Sequence, residues 1–420
     1  MGYVYSLQDK FPQTTLNRIT YQPFEPQPSR SLNRAESVTS QVLRHDVLLF
    51  YPYEQMDPFL QLIRESANDP NVLSIKITIY RLASKAKLIE YLAQAAENNK
   101  DVTVLMELRA RFDEESNINW SERLEEAGCQ VIYGFEGFKV HSKICLITRR
   151  DKGNIQYITQ VGTGNYNEKT AKLYTDLCLM TANQEIGTDA AVFFKNMAIA
   201  NLDGSYNRLL VAPHSLKNAL LDCIDEEIAK AKAGQPAKMI LKMNSITERK
   251  LIDKLAEASQ AGVQIQMIVR GICCIVPHVP GKTDNIDIIS IVGRFLEHPR
   301  IYVFGAGEDP KIYIGSADMM TRNTDRRVEI ACPVLDPNIK KRVLKIVDIM
   351  LRDNVKARVL QSDGRYLKKE LAPGEPLVNS QEYFIATARE MAKKQPAPEP
   401  VKKKNHALGR FFRMLADKFE

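Results

Sequence analysis

Short runs of β-branched and apolar residues alternate along this chain with stretches whose apolar positions recur every three or four residues. Val72–Tyr80 (VLSIKITIY) predicts a strand, Lys87–Ala96 (KLIEYLAQAA) a helix with one apolar face, and Val102–Leu108 (VTVLMEL) a second strand. Val131–Tyr133, Ile144–Thr148 and Tyr157–Val161 predict further short strands. The same order then returns: Lys238–Met243 as a strand, Glu248–Ser259 as a helix and Gln264–Val269 as a strand, followed by Arg300–Phe304 and Lys311–Ile314. Strand–helix–strand alternation predicts an α/β fold, and its return predicts two similar α/β domains related by internal duplication. The turn before the second strand is Asn98-Asn-Lys-Asp in one half and Gln260-Ala-Gly in the other.

The boundary between the halves is placed near residue 208, in the loop around Asn201-Leu-Asp-Gly, which gives domains 28–208 and 209–392. Residues 1–27 form a polar lead-in, and the proline-punctuated stretch to residue 44 reads as extended rather than packed. Residues 393–420 combine a proline-rich linker, Lys402-Lys-Lys, and a segment that places Leu408, Phe411, Phe412, Leu415 and Phe419 on one helical face. Such a basic amphipathic helix can lie on an anionic membrane surface or dock on a protein.

Composition adds little to this picture. The net charge of +7 resolves into +5 for residues 393–420 and only +2 for the rest, so any anion site in the body must come from local geometry. Seven scattered cysteines without a C-x-x-C pair read as buried small residues of a reducing compartment. With no secretion signal at the start, the expected location is the cytoplasm, with contact to the inner face of the membrane through 402–420.

Six histidines are few enough to weigh one by one. His45, His214 and His406 lie in polar stretches, and His278 lies in a proline-rich loop. His141 and His298 occupy matching places: His141-Ser-Lys143 answers His298-Pro-Arg300, an imidazole, one spacer and a cation. Gly162-Thr-Gly-Asn165 then answers Gly315-Ser-Ala-Asp318, and the fourteenth residue after each leading glycine is a carboxylate, Asp176 or Glu329. Four matches in register point to duplicated chemistry.

That chemistry suits phosphoryl transfer. An unprotonated imidazole can attack phosphorus and split one difficult step into two, provided an acceptor holds its other nitrogen. Asp176 is the expected acceptor for His141, and Glu329 for His298. The second histidine can serve as a general acid toward the leaving oxygen. Charge on the phosphoryl oxygens calls for cationic clamps: Arg81 ends the first strand, Arg109 and Arg111 end the next, and Arg270 stands at the corresponding strand end of the second half. Lys143 and Arg300, beside the histidines, are further expected ATP- or phosphate-binding cations. Gly281-Lys-Thr lacks the earlier glycine of a P-loop, since Val276 stands there, and Gly162-Thr-Gly164 lacks the third glycine of a dinucleotide site.

The segments IKITIYRLA (75–83), Phe138–Lys143, VGTGNYNEKTAKLYTDL (161–177), VRGICCIVPHVPG (269–281), GRFLEHPRIYVF (293–304) and SADMMTRNTDRRVE (316–329) resemble polyphosphate kinase. The resemblance implies a phospholipase-D-like double fold and reversible transfer of the ATP γ-phosphoryl group to polyphosphate. It matches His141 to the histidine that is phosphorylated and His298 to a second essential histidine that contacts the nucleotide phosphates. Tyr174 and Arg270 match nucleotide-binding positions. Arg81 and Arg111 match positions associated with Mg2+, which guanidinium groups can serve only by holding the phosphates that the metal bridges. Implied partners are ATP, ADP, polyphosphate and a second copy of the chain in a homo-oligomer, with no specific nucleic acid.

The family also carries two domains ahead of this region, for which this sequence has no counterpart. Met319 replaces a usual tryptophan, and the phospholipase D aspartate after H-x-K is absent from Ile144–Arg150. Two other readings compete: a phospholipase-D-type phosphodiesterase or nuclease, and an inert polyphosphate-binding fragment.

Overall fold

The computed structural model describes residue 7 and residues 10–80, 82, 86–107 and 114–394, with side chains of the last span from 118 onward. Arg81, Arg109, Arg111 and the segment 395–420 therefore lie outside the described residues. The first half runs α1 (Gln13–Ile19), α2 (Val38–Val42), β1 (Val47–Tyr51), α3 (Asp57–Asn68), β2 (Val72–Ile79), α4 (Lys87–Glu97) and β3 (Asp101–Met106). It continues with α5 (Glu114–Glu126), β4 (Gln130–Tyr133), β5 (Lys139–Val140), β6 (Ile144–Asp151), β7 (Asn154–Gly162), β8 (Tyr174–Thr181) and α6 (Gln184–Ala198). The second half runs β9 (Leu210–Ala212), α7 (Leu216–Lys232), β10 (Lys238–Met243), α8 (Arg249–Gln260), β11 (Gln264–Val269), β12 (Ile286–Ile291) and β13 (Leu296–Glu297). After these come β14 (Arg300–Phe304), β15 (Lys311–Gly315), α9 (Thr321–Asp325), β16 (Arg327–Pro333), α10 (Pro337–Leu351), β17 (Ala357–Leu360), β18 (Tyr366–Lys368) and α11 (Ser380–Lys394).

The two halves repeat one wiring. Strand order β8-β7-β6-β2-β3-β4 in the first sheet answers β16-β15-β14-β10-β11-β12 in the second. In each, three parallel strands adjoin an antiparallel hairpin. The parallel strands carry apolar residues where they face the helices; Ile75, Ile77 and Ile79 of β2 and Leu241 and Met243 of β10 are fully buried. The helix–strand turns repeat as well. Lys100 N–H reaches Ala95 O at 3.0 Å after α4, and Val263 N–H reaches Ala258 O at 3.0 Å after α8. Each turn needs one left-handed residue, Asn99 at φ 61° and Gly262 at φ 96°.

Chain position does not separate the sheets cleanly. Strand β5 of the first half pairs with β16 of the second, and β13 of the second pairs with β8 of the first. Each sheet thus holds a two-residue guest from the other half. One apolar cluster runs through both halves, from Leu48, Leu146, Leu177 and Phe193 to Ile301, Ile330, Val343 and Met350. Outer clusters seal each sheet against its own helices, around Ile77 and Leu92 on one side and Leu241 and Leu255 on the other.

The expectation that residues up to 44 are unpacked is corrected. Phe24 and Leu32 are buried, Phe24 with its ring 6.3 Å from Phe295, and two short helices lie in this stretch. The segment has an apolar anchor every several residues, too sparse to register as periodicity. Just after it, Glu54 meets Arg342 of α10 at 2.7 Å, both sides nearly buried, and accepts the Phe50 N–H at 2.8 Å. Removing one partner of such a buried pair costs about 3–5 kcal/mol, so the halves are pinned as well as packed. Among the described residues no helix is long and apolar enough to cross a membrane.

Candidate active site

The guest strands bring the two histidines to their acids. In β5–β16 the register is Val140 opposite Val328, so the next residues, His141 and Glu329, face each other. In β13–β8, Glu297 lies opposite Thr175, and the next pair is His298 and Asp176. His141 Nδ1 lies 2.9 Å from Glu329 Oε2, and His298 Nδ1 lies 2.9 Å from both oxygens of Asp176. The within-half pairing expected from the spacing is therefore wrong: each imidazole takes its carboxylate from the other half. Spacing along the chain records which residues are equivalent, and only the strand exchange decides which of them touch.

Each acid is held in turn. Thr163 Oγ1 donates to Asp176 Oδ1 at 2.6 Å and accepts the Leu177 N–H at 2.9 Å. At the equivalent place, Ser316 Oγ accepts the Ile330 N–H at 3.1 Å, and Asn323 Nδ2 donates to Glu329 Oε1 at 2.5 Å. Carboxylates facing both Nδ1 atoms put the proton on Nδ1 and leave Nε2 with its lone pair. Burial pushes the His141 imidazole down to about 3, with Glu329 opposing and Lys143 and Arg327 adding to the fall. Burial also lowers His298, opposed by Asp176 and assisted by Arg300. Both rings are neutral at pH 7. Glu329 stays ionised: burial raises it, but His141 and Lys143 outweigh that and hold it below the usual range.

The cations beside the rings differ. Arg300 is buried with its fork closed on protein: Nε and Nη2 donate to Asp318 at 3.2 and 3.1 Å, and Nη1 to His298 O at 2.9 Å and Thr163 O at 3.3 Å. Its fork, expected to bind phosphate, is turned onto these internal acceptors in this structure. Lys143, at the matching place, is 1% exposed, donates to its neighbour His141 O, and has no carboxylate in ion-pair range among the described residues. Where the second half has Asp318, the first has neutral Asn165, so among the described residues the buried ammonium has no directly paired counter-ion. Burial pushes it down to about 7, Glu329 opposing and Arg300 and Arg327 assisting.

Tyr174 lies against His298 with ring centroids 5.5 Å apart, and Tyr80 lies edge-on to His141 at 4.9 Å. Arg270 donates from Nε to Glu297 O at 2.9 Å and from Nη2 to Asn244 Oδ1 at 2.7 Å, and Nη1 has no partner among the described residues. The expected match of Arg270 to Arg109 and Arg111 needs correction, because the registers of β2–β3 and β10–β11 make Glu107 its structural equivalent. Glu107 Oε2 accepts the Val140 N–H at 3.0 Å, so both positions hold the backbone just ahead of a histidine.

Several participants escaped sequence reasoning. Arg327 Nη1 lies 3.8 Å from Glu329 and corresponds to Tyr174; its signal was its place two residues before the acid. A Cβ at Gly164 would overlap the Asp176 carboxylate, so the glycine makes room for the His298 acid. Asn323 and Glu107 left no spacing signal. Among the described residues no three His, Cys, Asp or Glu side chains stand together to hold a metal. Asp176, Glu329 and Asp318 are each committed to an internal donor, so this donor set does not fit a resident Mg2+.

Comparison with known proteins gives the family. Residues 37–202 match polyphosphate kinase C-terminal domain 1, and residues 209–381 match polyphosphate kinase C-terminal domain 2. The chain belongs to the polyphosphate kinase family. It is 44% identical over 415 residues to a polyphosphate kinase of Staphylococcus haemolyticus, an alignment covering 97% of this chain and 57% of that protein. It is 45% identical over 331 residues to one of Escherichia coli, covering 79% and 47%. A polyphosphate kinase structure from Porphyromonas gingivalis superposes with a TM-score of 0.83 at 36% identity, covering 91% of this chain and 59% of that one. The chain thus spans about half the length of the relatives it matches. A phosphatidylserine synthase structure from Haemophilus influenzae, TM-score 0.53 at 13% identity over 89% of this chain and 94% of that one, shares the fold, a phospholipase-D-like pair of α/β domains.

Proposed function

We propose that this chain transfers the γ-phosphoryl group of ATP to inorganic polyphosphate, reversibly, through a phosphohistidine at His141. The observation that carries this reading is the neutral, buried His141 whose Nδ1 faces Glu329, with the buried Lys143 side chain beside it. His141 Nε2 attacks the γ-phosphorus, the bond to the β–γ bridging oxygen breaks, and ADP departs. A terminal oxygen of polyphosphate then attacks the same phosphorus, the N–P bond breaks, and the chain is one unit longer. Because the leaving phosphate is a weak base, positive charge rather than a proton eases its departure.

This bears on the general-acid role expected of His298. Its Nδ1 faces the Asp176 carboxylate and burial keeps the ring neutral, so the resting ring carries its proton on Nδ1 and has none at Nε2 to give. We assign His298 instead to binding the nucleotide phosphates, with Tyr174 and Nη1 of Arg270 nearby. Mg2+ is proposed to arrive on those phosphates. In the family resemblance Arg81 and Arg111 hold them.

The test is labelling with γ-labelled ATP. The chain should acquire an acid-labile, base-stable label on His141, which His141→Ala abolishes, while His298→Ala folds and transfers more slowly. A normal rate in either variant refutes the assignment. Diester hydrolysis without label would indicate the phosphodiesterase, and polyphosphate binding without label the inert fragment. Gly164→Ala, which displaces Asp176, should lower the transfer rate by about tenfold or more; an unaltered rate would show that the glycine serves only the turn.

A further inference from the structure

The duplication supplies an internal control for how each histidine is held, and the two halves differ. In the first, His141 N–H and Ser142 N–H both donate to Val328 O at 2.9 Å. In the second, Pro299 follows His298 and has no N–H to give, and His298 N–H turns to the Thr175 hydroxyl at 3.3 Å. The second guest strand has thus lost a main-chain anchor.

Side chains stand where that anchor is missing. Lys242 and Glu297, each 1% exposed, form an ion pair at 3.2 Å. Glu297 immediately precedes His298. Its carboxylate also accepts from Thr175 Oγ1 at 3.1 Å and from Gln381 Nε2 at 2.7 Å. Lys242 Nζ also points at Pro299 O, 3.5 Å away, so the ammonium touches both neighbours of His298. Gln381, at the start of α11, clamps Phe295 as well, accepting its N–H at 2.9 Å and donating to its carbonyl at 3.0 Å.

At the equivalent places the first half has Thr78 for Lys242 and Val140 for Glu297, by the registers of β2–β6 and β10–β14. Thr78 Oγ1 serves the matching carbonyl, Ser142 O, at 2.8 Å with no charge involved. A desolvated ion pair is seldom favoured over an apolar pair for stability alone. Its presence in only one of two otherwise parallel sites calls for a local cause, which the missing proline donor supplies.

Resting on the phosphoryl-transfer reading above, we infer that Lys242, Glu297 and Gln381 form a positioning network for His298, tying the second imidazole to the C-terminal helix α11. None of the three touches the reacting atoms; they act through the strand that carries the ring.

The test combines kinetics with a readout that needs no turnover. In the 420-residue chain, Lys242→Met/Glu297→Gln removes both charges together and leaves neither buried alone. Transfer should fall about 10- to 100-fold in the native background, the scale expected for a misplacement of about 1 Å. In a His298→Ala background the same pair of changes should cost less than about twofold, because the group they position is gone. A merely structural role lowers both backgrounds equally, and that result overturns the inference, as does an unchanged native rate.

Imidazole nitrogen NMR decides the matter even if the chain transfers no phosphate. The double variant should shift the His298 nitrogen resonances and leave those of His141 in place; static His298 resonances, or equal movement of both rings, overturn the proposal. Should the double variant fail to fold, Gln381→Asn, shorter by one methylene, should give the same selective shift at smaller amplitude. Its absence there overturns the proposal as well.

Discussion

Glu329→Gln should slow the labelling of His141 by about 10²- to 10⁴-fold, the usual worth of a correctly placed proton acceptor. The amide keeps the shape of the side chain but can present its NH2 to His141 Nδ1, which favours the tautomer protonated on Nε2 and hides the attacking lone pair. Asp176→Asn should leave the label on His141 attainable and slow the steps that use His298. The contrast between the variants reads out the crossed wiring directly. Labelling lost through Asp176→Asn and spared in Glu329→Gln would restore the within-half pairing that spacing suggests and would contradict the 2.9 Å contacts.

Lys143→Met should reduce labelling by about 10²- to 10³-fold, comparable to the loss of one preorganised donor at a developing anion. Methionine fills the same buried volume without charge; among the described residues no carboxylate lies in ion-pair range of the ammonium, so no direct ion pair is broken, and the cost is the nearby positive charge that buried Glu329 loses. Stability should fall little while transfer collapses. The sign of the pH dependence follows. With the lysine pushed down to about 7, its charge is present below that value and lost as pH rises through it. The apparent KM for ATP should climb above pH 7 in the native chain and stay flat in the variant. A bound polyanion moves the transition upward, so saturating ATP should blunt it. A flat native profile, or an unaffected labelling rate in Lys143→Met, would remove the lysine from the site.

The fold was legible where burial imposes a pattern. Strands such as Lys238–Met243 and Gln264–Val269 bury most of their residues, so their apolar positions mark where the strands run. The duplication was legible because His141, Lys143 and Asp176 recur at matched places as His298, Arg300 and Glu329, each on the same element of the repeated wiring. The guest strands were not legible: two residues each are too short for any periodicity, and they alone decide that acids cross between halves. The Lys242–Glu297 pair was hidden for another reason. A lysine inside KMILKM and a glutamate inside FLEHP look like solvated residues at a strand end, and only the third dimension shows both at 1% exposure. Arg300 failed the other way, since its resemblance to a phosphate clamp said nothing of the Asp318 already filling its fork.

The exchange of β5 and β13 has a consequence for how such a molecule can be divided. A cut in the 199–209 connection would yield two pieces, each keeping an imidazole and a carboxylate that belong to different partnerships. Neither fragment could assemble even one complete couple from its own residues. The duplicated unit is visible as an architectural repeat but is not an independent chemical module, so the smallest indivisible body here is the interlocked whole.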